Sequence, residues 1–179
     1  MGAYFLVVNP ARMQYLDPSR FGEGIKASSV LRGDFCIRAL KLLVMDCYPR
    51  DAASFPGAWL GDPVILAGDD NGLPDPGGIV ATSPHPNLNA LAQAEYADIS
   101  YRALAELASR ASEAAELAEA ARENDSLLLE LGGVLDQYRV PNLEIALNEA
   151  VGRPWRQAWK KALAGHPSWY PPPPIDWPF

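Results

Sequence analysis

Apolar and polar positions follow a strand-like pattern early in the chain and a helical pattern after about residue 87. Residues 4–8 form an apolar run, and residues 12–16 are placed to return beside it as the second strand of a hairpin. The segment from Phe35 to Met45 fits a helical stripe better than strict alternation, with a strand as the alternative, and Asp34 stands at its N-cap position. The pattern therefore predicts a small antiparallel sheet with one helix.

A further buried strand is predicted over residues 64–67. Two Gly-Asp pairs bracket it, Gly61-Asp62 and Gly68-Asp69. Glycine lets the chain turn sharply, and an adjacent aspartate suits a tight turn or a ligand. We expect Asp62 and Asp69 at opposite ends of this strand, close to Trp59.

After Pro86 the chain is predicted to be almost entirely helical. Asn87 is placed to cap a first helix that ends near Tyr96, and a long helix is expected from about Asp98 to Glu123. Further helices are predicted over 126–138, 141–151 and 154–164. The long helix carries a seam at alternating spacings of three and four: Tyr101, Leu104, Ala108, Ala111, Ala115 and Ala118. Such small side chains predict a partner helix, either Ser126 to Tyr138 or one from a second copy of the chain.

This organisation predicts an α+β fold in three parts. Residues 1–86 form a small sheet with a helix, residues 87–166 form a layer of four to five helices packed on it as one globular unit, and residues 167–179 form a tail rich in Pro and Trp.

The tail Trp169–Trp177 is predicted to form an extended, left-handed proline helix, because four consecutive prolines, Pro171–Pro174, forbid other conformations. Two interpretations of this tail stay open. An aromatic residue before four prolines, with an acid beyond them, resembles ligands of proline-recognising domains. Alternatively, Trp169, Trp177 and Phe179 hold the tail on the chain's own helices.

The composition is typical of a globular protein, with 179 residues, 49% of them hydrophobic and 21% charged. The formal net charge of −7 argues against nucleic acid as a partner, because phosphate binding needs clustered Lys and Arg. The sequence has neither a run of about 20 apolar residues nor the features of a signal peptide. We therefore expect no membrane partner and a cytoplasmic protein. Cys36 and Cys47 are predicted to be free thiols.

Several short motifs occur in an order that resembles a known group of proteins. They are the N-terminal Met-Gly-Ala-Tyr4, Phe21-Gly22-Glu23-Gly24-Ile25-Lys26, Trp59-Leu60-Gly61-Asp62 with Gly68-Asp69, and Tyr96-Ala97-Asp98-Ile99-Ser100. The group consists of widespread, uncharacterised small proteins of bacteria, phages and some microbial eukaryotes. Its motifs are Met-Gly-x-Tyr-Tyr, Phe-Gly-x-Gly-x-Lys and Trp-x-Gly-Asp…Gly-Asp. After Met45 the chain departs from the group's glycine-rich loop. The resemblance implies a fold and candidate positions but no reaction.

The strongest chemical lead is a set of acidic residues around the bracketed strand: Asp62, Asp69, Asp70 and Asp75. Converging carboxylates need a hard cation or a basic group beside them, and Lys26 is a candidate for that group. The candidate ligand-binding residues are Tyr4, Lys26, Trp59, Asp62, Asp69 and Asp70. The more common interpretation is that such aspartates cap turns and that Trp59 packs in a core. No zinc-ligand spacing is present, and we predict no cofactor and no bound zinc.

Two function classes follow. The first is a non-enzymatic interaction or regulatory protein of bacterial or phage origin, which binds a protein partner or forms a homodimer. It is favoured because the chain has no complete catalytic signature and because it carries the alanine seam. The alternative is a small-ligand-binding protein or enzyme that uses Lys26 and an Asp62 or Asp69 carboxylate, with or without a divalent cation. The alternative requires Lys26, Asp62 and Asp69 to line one concave pocket.

Overall fold

The computed structural model describes residues 4–23, 34–46, 55–70, 78–81, 83–152 and 154–175. The contacts divide the chain into two compact units. The first unit extends to Ser19 and continues from Glu23 to Ser100, whereas the second contains Arg20–Gly22 and Tyr101–Ile175. The composition changes near residue 87, but the main division between the units follows Ser100.

The first unit contains a four-stranded sheet with the strand order β3-β1-β2-β4. Its strands are β1 (Phe5–Asn9), β2 (Gln14–Leu16), β3 (Ile65–Gly68) and β4 (Ala97–Asp98). The predicted hairpin is confirmed, because β1 pairs antiparallel with β2 and also with β3. β4 pairs parallel with β2, so the sheet is mixed. The sequence pattern did not reveal β4, since two residues are too few to show a strand period.

Two helices belong to the first unit, α1 (Phe35–Val44) and α2 (Leu88–Glu95). The N-terminus of α1 is capped from a distance, because Glu23 Oε1 accepts hydrogen bonds from the backbone N–H groups of Phe35 (2.6 Å) and Cys36 (3.0 Å). The side chain of Asp34 makes no capping bond and pairs instead with Arg38. The prediction that Asp34 caps this helix was therefore wrong.

Helix α2 packs against the sheet. Asn87 caps it as predicted, since its side-chain oxygen accepts a hydrogen bond from Ala90 N at 2.8 Å. The buried residues of this core are Leu6, Val8, Ala67, Leu88, Leu91 and Ala92. The apolar run of β1 is thus covered by the apolar face of α2, which stabilises both elements by removing that surface from water.

The second unit is helical, as predicted. Its helices are α3 (Ser100–Ala108), α4 (Ala111–Ala121), α5 (Asp125–Gln137), α6 (Pro141–Ala150) and α7 (Trp155–Gly165). Helix α4 packs against α5 and α6, and α5 packs against α7. In the described ranges, no helix has both the length and the apolar character that crossing a membrane requires.

The predicted long helix is two helices, and the predicted seam was wrong at Ala111 and Ala115 but right at Ala118, which is buried. α3 ends at Ala108 and α4 begins at Ala111, because the backbone of Arg110 is extended. The break changes the helical phase, so Ala111 and Ala115 are exposed. The buried stripe of α4 is instead Ala114, Leu117, Ala118 and Ala121.

Two adjacent glycines let α5 pass close to aromatic rings. A Cβ atom on Gly132 would clash with the Trp159 indole, and one on Gly133 would clash with the Tyr101 ring. The helix continues through both glycines. These residues are therefore positions of close packing, and the tight fit outweighs the weak helix propensity of glycine.

Candidate functional site

Asp69 terminates the pairing of β3 with β1. Its backbone N–H donates to the carbonyl of Tyr4 (2.9 Å), and its Oδ1 accepts from the backbone N–H of Tyr4 (2.8 Å). The Asn87 side-chain amide donates to the backbone carbonyl of Asp69 (3.1 Å). The Asp69 carboxylate therefore acts as a cap on the strand pair.

Asp62 lies before β3, in a polar group with Asn9 and Arg12. Its Oδ2 accepts hydrogen bonds from Arg12 Nε (2.8 Å) and Asn9 Nδ2 (3.1 Å). These two bonds, that of Arg12 first, hold the pKa of Asp62 below the usual aspartate value. The carboxylate is therefore an ionised partner that joins the β1–β2 turn to the segment before β3.

The remaining candidates are dispersed. Trp59 is fully buried, and its indole donates to Gln14 Oε1 at 2.8 Å, so it packs in the core. The side chain of Tyr4 is 53% exposed, and Asp70 is exposed as well. Lys26, like Asp75, lies outside the described residues.

Asp62 and Asp69 lie at opposite ends of β3, as predicted. Each accepts hydrogen bonds from a different neighbour, Arg12 for Asp62 and Tyr4 for Asp69. The small-ligand hypothesis requires both carboxylates and Lys26 in one pocket, and Lys26 lies outside the described residues.

The most buried carboxylate in the described ranges belongs to the second unit. Glu130 on α5 is only 6% exposed. Its oxygens accept hydrogen bonds from Tyr101 Oη (2.7 Å), Trp169 Nε1 (2.8 Å) and Arg20 Nη1 (3.2 Å to each oxygen). The cluster of Glu130, Arg20, Tyr101 and Trp169 therefore joins four separate segments of the unit through one carboxylate.

Burial raises the pKa of Glu130, although the positive charge of Arg20 and the hydrogen bonds from Tyr101 and Trp169 act in the opposite direction. A buried carboxylate needs such partners, because an unpaired charge in a protein interior is strongly unfavourable. The four residues are therefore interdependent. Removal of any one leaves a buried polar group of another without its partner.

Sequence reasoning missed Glu130. The available signal was an acid inside the apolar run Leu127-Leu128-Leu129-Glu130-Leu131, where every neighbour is buried. An acid in such a run must face a partner. The partners, however, are far away in sequence, so they are not evident from spacing alone.

The Pro-rich segment is attached to α5 at two points. The first is the hydrogen bond from Trp169 Nε1 to Glu130, and the second is donated by Gln137 Nε2 to the carbonyl of Pro172 at 2.7 Å. Between them, Arg20 Nη1 donates to the carbonyl of Tyr170 at 3.3 Å. For Trp169, the interpretation that the tail packs on the chain's own helices is confirmed, whereas Trp177 and Phe179 lie outside the described residues.

The described residues contain no group of three or more His, Cys, Asp and Glu side chains that is placed to hold a metal ion. One cleft of the second unit lies beside the start of α6 and includes Arg102, Glu106 and Arg139. Arg102 and Glu106 form an ion pair across one helical turn. Much of the charge in this cleft is therefore neutralised internally.

Comparisons of the chain with protein-family models, with curated proteins and with solved structures gave no match. The resemblance in the N-terminal half therefore stays a prediction that depends on motif order. The candidate with the most distinctive geometry is the Pro-rich segment together with the Glu130 cluster that holds it.

Proposed function

We propose that this chain is a non-enzymatic protein-interaction protein that binds its partner through the segment Tyr170–Pro174. The single observation that carries the proposal is the exposure of Tyr170. Tyr170 is 73% exposed, the largest fraction among the exposed large hydrophobic residues of the described ranges. This exposure occurs beside attachment points at Trp169 and Pro172.

An exposed aromatic ring on a held backbone is well suited to recognition. Tyrosine is enriched at protein interfaces, where its ring contributes a large contact area and its hydroxyl a hydrogen bond. Because hydrogen bonds to α5 already fix the backbone around Tyr170, less conformational entropy is lost when a partner binds. Both properties favour Tyr170 as an anchor residue.

The same segment offers a continuous apolar surface. Pro173 and Pro174 are exposed next to Tyr170, and prolines carry no backbone N–H that would need a partner on binding. A partner that buries this surface therefore has no backbone N–H group of these prolines to satisfy.

Site-specific photo-crosslinking in cells of the source organism tests the proposal. A benzophenone amino acid replaces Tyr170 in the full chain, and the matched control carries it at Lys160, an exposed position on α7. We expect a discrete protein adduct from position 170 that position 160 does not give and that Pro173→Ala weakens. An adduct with a second copy of the chain would identify the partner as a homodimer. The same set of adducts from both positions, or none from position 170, would contradict the proposal.

A further inference from the structure

We infer that the partner carries an aromatic-lined groove that binds a left-handed proline helix. Glu130 and Gln137 attach the segment to α5 and so determine which of its side chains contact this groove. The inference rests on the proposed function and identifies the chemistry of its partner. It is carried by the burial pattern of residues 169–175 and by the hydrogen bonds that attach them to α5.

A left-handed proline helix has three residues per turn, so its side chains lie along three edges. One edge contains Trp169, Pro172 and Ile175, which are partly buried, buried and partly buried. The hydrogen bonds to α5 involve the first two of these residues. This edge therefore faces α5.

The other two edges are more exposed to solvent. Tyr170 and Pro173 form one of them, and both are exposed. Pro171 and Pro174 form the other, with Pro171 partly buried and Pro174 exposed. The partner therefore meets an aromatic-proline edge beside a proline-proline edge. The spacing of Pro171 and Pro174 is the Pro-x-x-Pro spacing that aromatic grooves recognise.

The two attachment points match the dimensions of both helices. Glu130 and Gln137 are seven residues apart on α5, which corresponds to a rise of about 10.5 Å. Trp169 and Pro172 are one turn apart on the proline helix, which corresponds to about 9.3 Å. The two spacings agree to about 1 Å, so one turn of the proline helix covers about the same length as the stretch of α5 from Glu130 to Gln137.

The backbone carbonyls of the segment differ in their hydrogen bonding. Those of Tyr170 and Pro172 accept hydrogen bonds from Arg20 and Gln137. In the described part of the chain, the carbonyls of Pro171 and Pro173 accept none. A groove with indole or phenol donors between its rings can bond these two carbonyls while the rings pack on the exposed edges.

Calorimetric titration of purified SH3, WW and EVH1 domains tests this inference, because all three have aromatic grooves of the required kind. Each domain is titrated with the full chain and with a synthetic peptide of residues 168–179. We expect at least one domain to bind both, and to bind the full chain about three- to tenfold more tightly because the attached segment is preorganised.

The double substitution Pro171→Ala and Pro174→Ala should weaken binding by at least tenfold. Pro167→Ala, an exposed proline outside the segment, is the control and should leave binding unchanged.

The substitution Gln137→Ala removes one attachment point and leaves the segment itself unaltered. We expect its affinity to decrease toward that of the peptide, while circular dichroism reports an unchanged helical content. Tighter binding by the peptide than by the full chain would overturn the inference, because attachment to α5 would then block the groove's access to the segment. Failure of every domain to bind either molecule would overturn the partner class. A crosslinked adduct specific to position 170 would still support the proposed function in both cases.

Discussion

Two carboxylates, Asp62 in the first unit and Glu130 in the second, show how differently the same group can be used. Asp62 stands in a Gly-Asp turn, its side chain is 21% exposed, and Arg12 and Asn9 hold its pKa below the usual value. Glu130 stands in an apolar helix, its side chain is 8% exposed, and burial raises its pKa. The sequence motif draws attention to Asp62, whereas the structure places the larger polar network around Glu130.

The difference follows from solvation. Asp62 lies close to water, so its hydrogen bonds add a modest amount to stability and orient one turn. Glu130 has little contact with water, so its partners must balance the cost of burying its charge. We therefore expect the segments that meet at Glu130, including the Pro-rich segment, to respond together to a change at this residue.

The largest effect expected of a single substitution comes from truncation of the buried carboxylate. Glu130→Ala leaves the Arg20 charge and the Tyr101 and Trp169 donors without their acceptor, and it should lower the free energy of unfolding by about 3–5 kcal/mol. Asp62→Ala is the matched control and should lower it by at most about 1 kcal/mol. Urea unfolding of both variants measures the difference, and equal losses would contradict the comparison.

The next effect concerns the close approach of α7 to α5. Gly132→Ala should force the Trp159 ring away and break its hydrogen bond to the carbonyl of Leu129. Overpacking of this kind costs about 1–3 kcal/mol. Gly165→Ala is the control, because a Cβ atom at Gly165 meets nothing within 4 Å. If Gly132→Ala unfolds at the same urea concentration as Gly165→Ala, the packing described for α5 is wrong.

The phase of α4 is tested by two double variants. Ala114→Leu with Ala118→Leu should cost about 1–3 kcal/mol per site, because both positions are fully buried. Ala111→Leu with Ala115→Leu should be nearly neutral, since both positions are exposed and leucine forms helices almost as well as alanine. Thermal unfolding distinguishes them. If Ala111→Leu with Ala115→Leu is instead the more destabilised double variant, the result would support the continuous helix that the sequence pattern predicted.

A smaller effect, opposite in sign for the two carboxylates, is expected in the dependence of stability on pH. The raised pKa of Glu130 means that its contribution is fully present below the unfolded pKa of about 4.3 and is lost as the pH rises through the folded value. The stability of the unmodified chain relative to Glu130→Gln should therefore fall as the pH rises from about 4 to 7.

For Asp62 the sign is the opposite. Its lowered pKa means that its contribution is present above the unfolded value of about 3.9 and is lost as the pH falls through the folded value. The stability of the unmodified chain relative to Asp62→Asn should rise with pH from about 2 to 4. Urea titrations at a series of pH values measure both slopes, and slopes of the same sign would refute the contrast.

Local pattern was sufficient for most of the fold. The apolar run of β1, the cap at Asn87 and the helical stripes each depend on neighbouring residues, and the structure contains all of them. The break between α3 and α4 was not predicted, because neither Ser109 nor Arg110 is a strong helix breaker. Tertiary packing decides this break, and with it the exposure of Ala115.

The site was predicted less well than the fold. The positions of Asp62 and Asp69 around β3 followed from two glycines and a short apolar run. The Glu130 cluster did not follow, because Arg20, Tyr101 and Trp169 are separated from Glu130 by 110, 29 and 39 residues. Only the folded chain brings these partners together, and no local spacing encodes such a distance.

The central claim is that Glu130 holds the Pro-rich segment through Trp169, and a double-mutant cycle of Glu130→Ala and Trp169→Phe measures this contact most directly. Phenylalanine keeps an aromatic ring and removes the indole N–H, and the cycle cancels the loss of ring volume that does not depend on Glu130, so it measures the contact that is 2.8 Å long. We predict a coupling free energy of about 1–3 kcal/mol, as is usual for a hydrogen bond to a charged group. Effects that add within about 0.5 kcal/mol would contradict the claim.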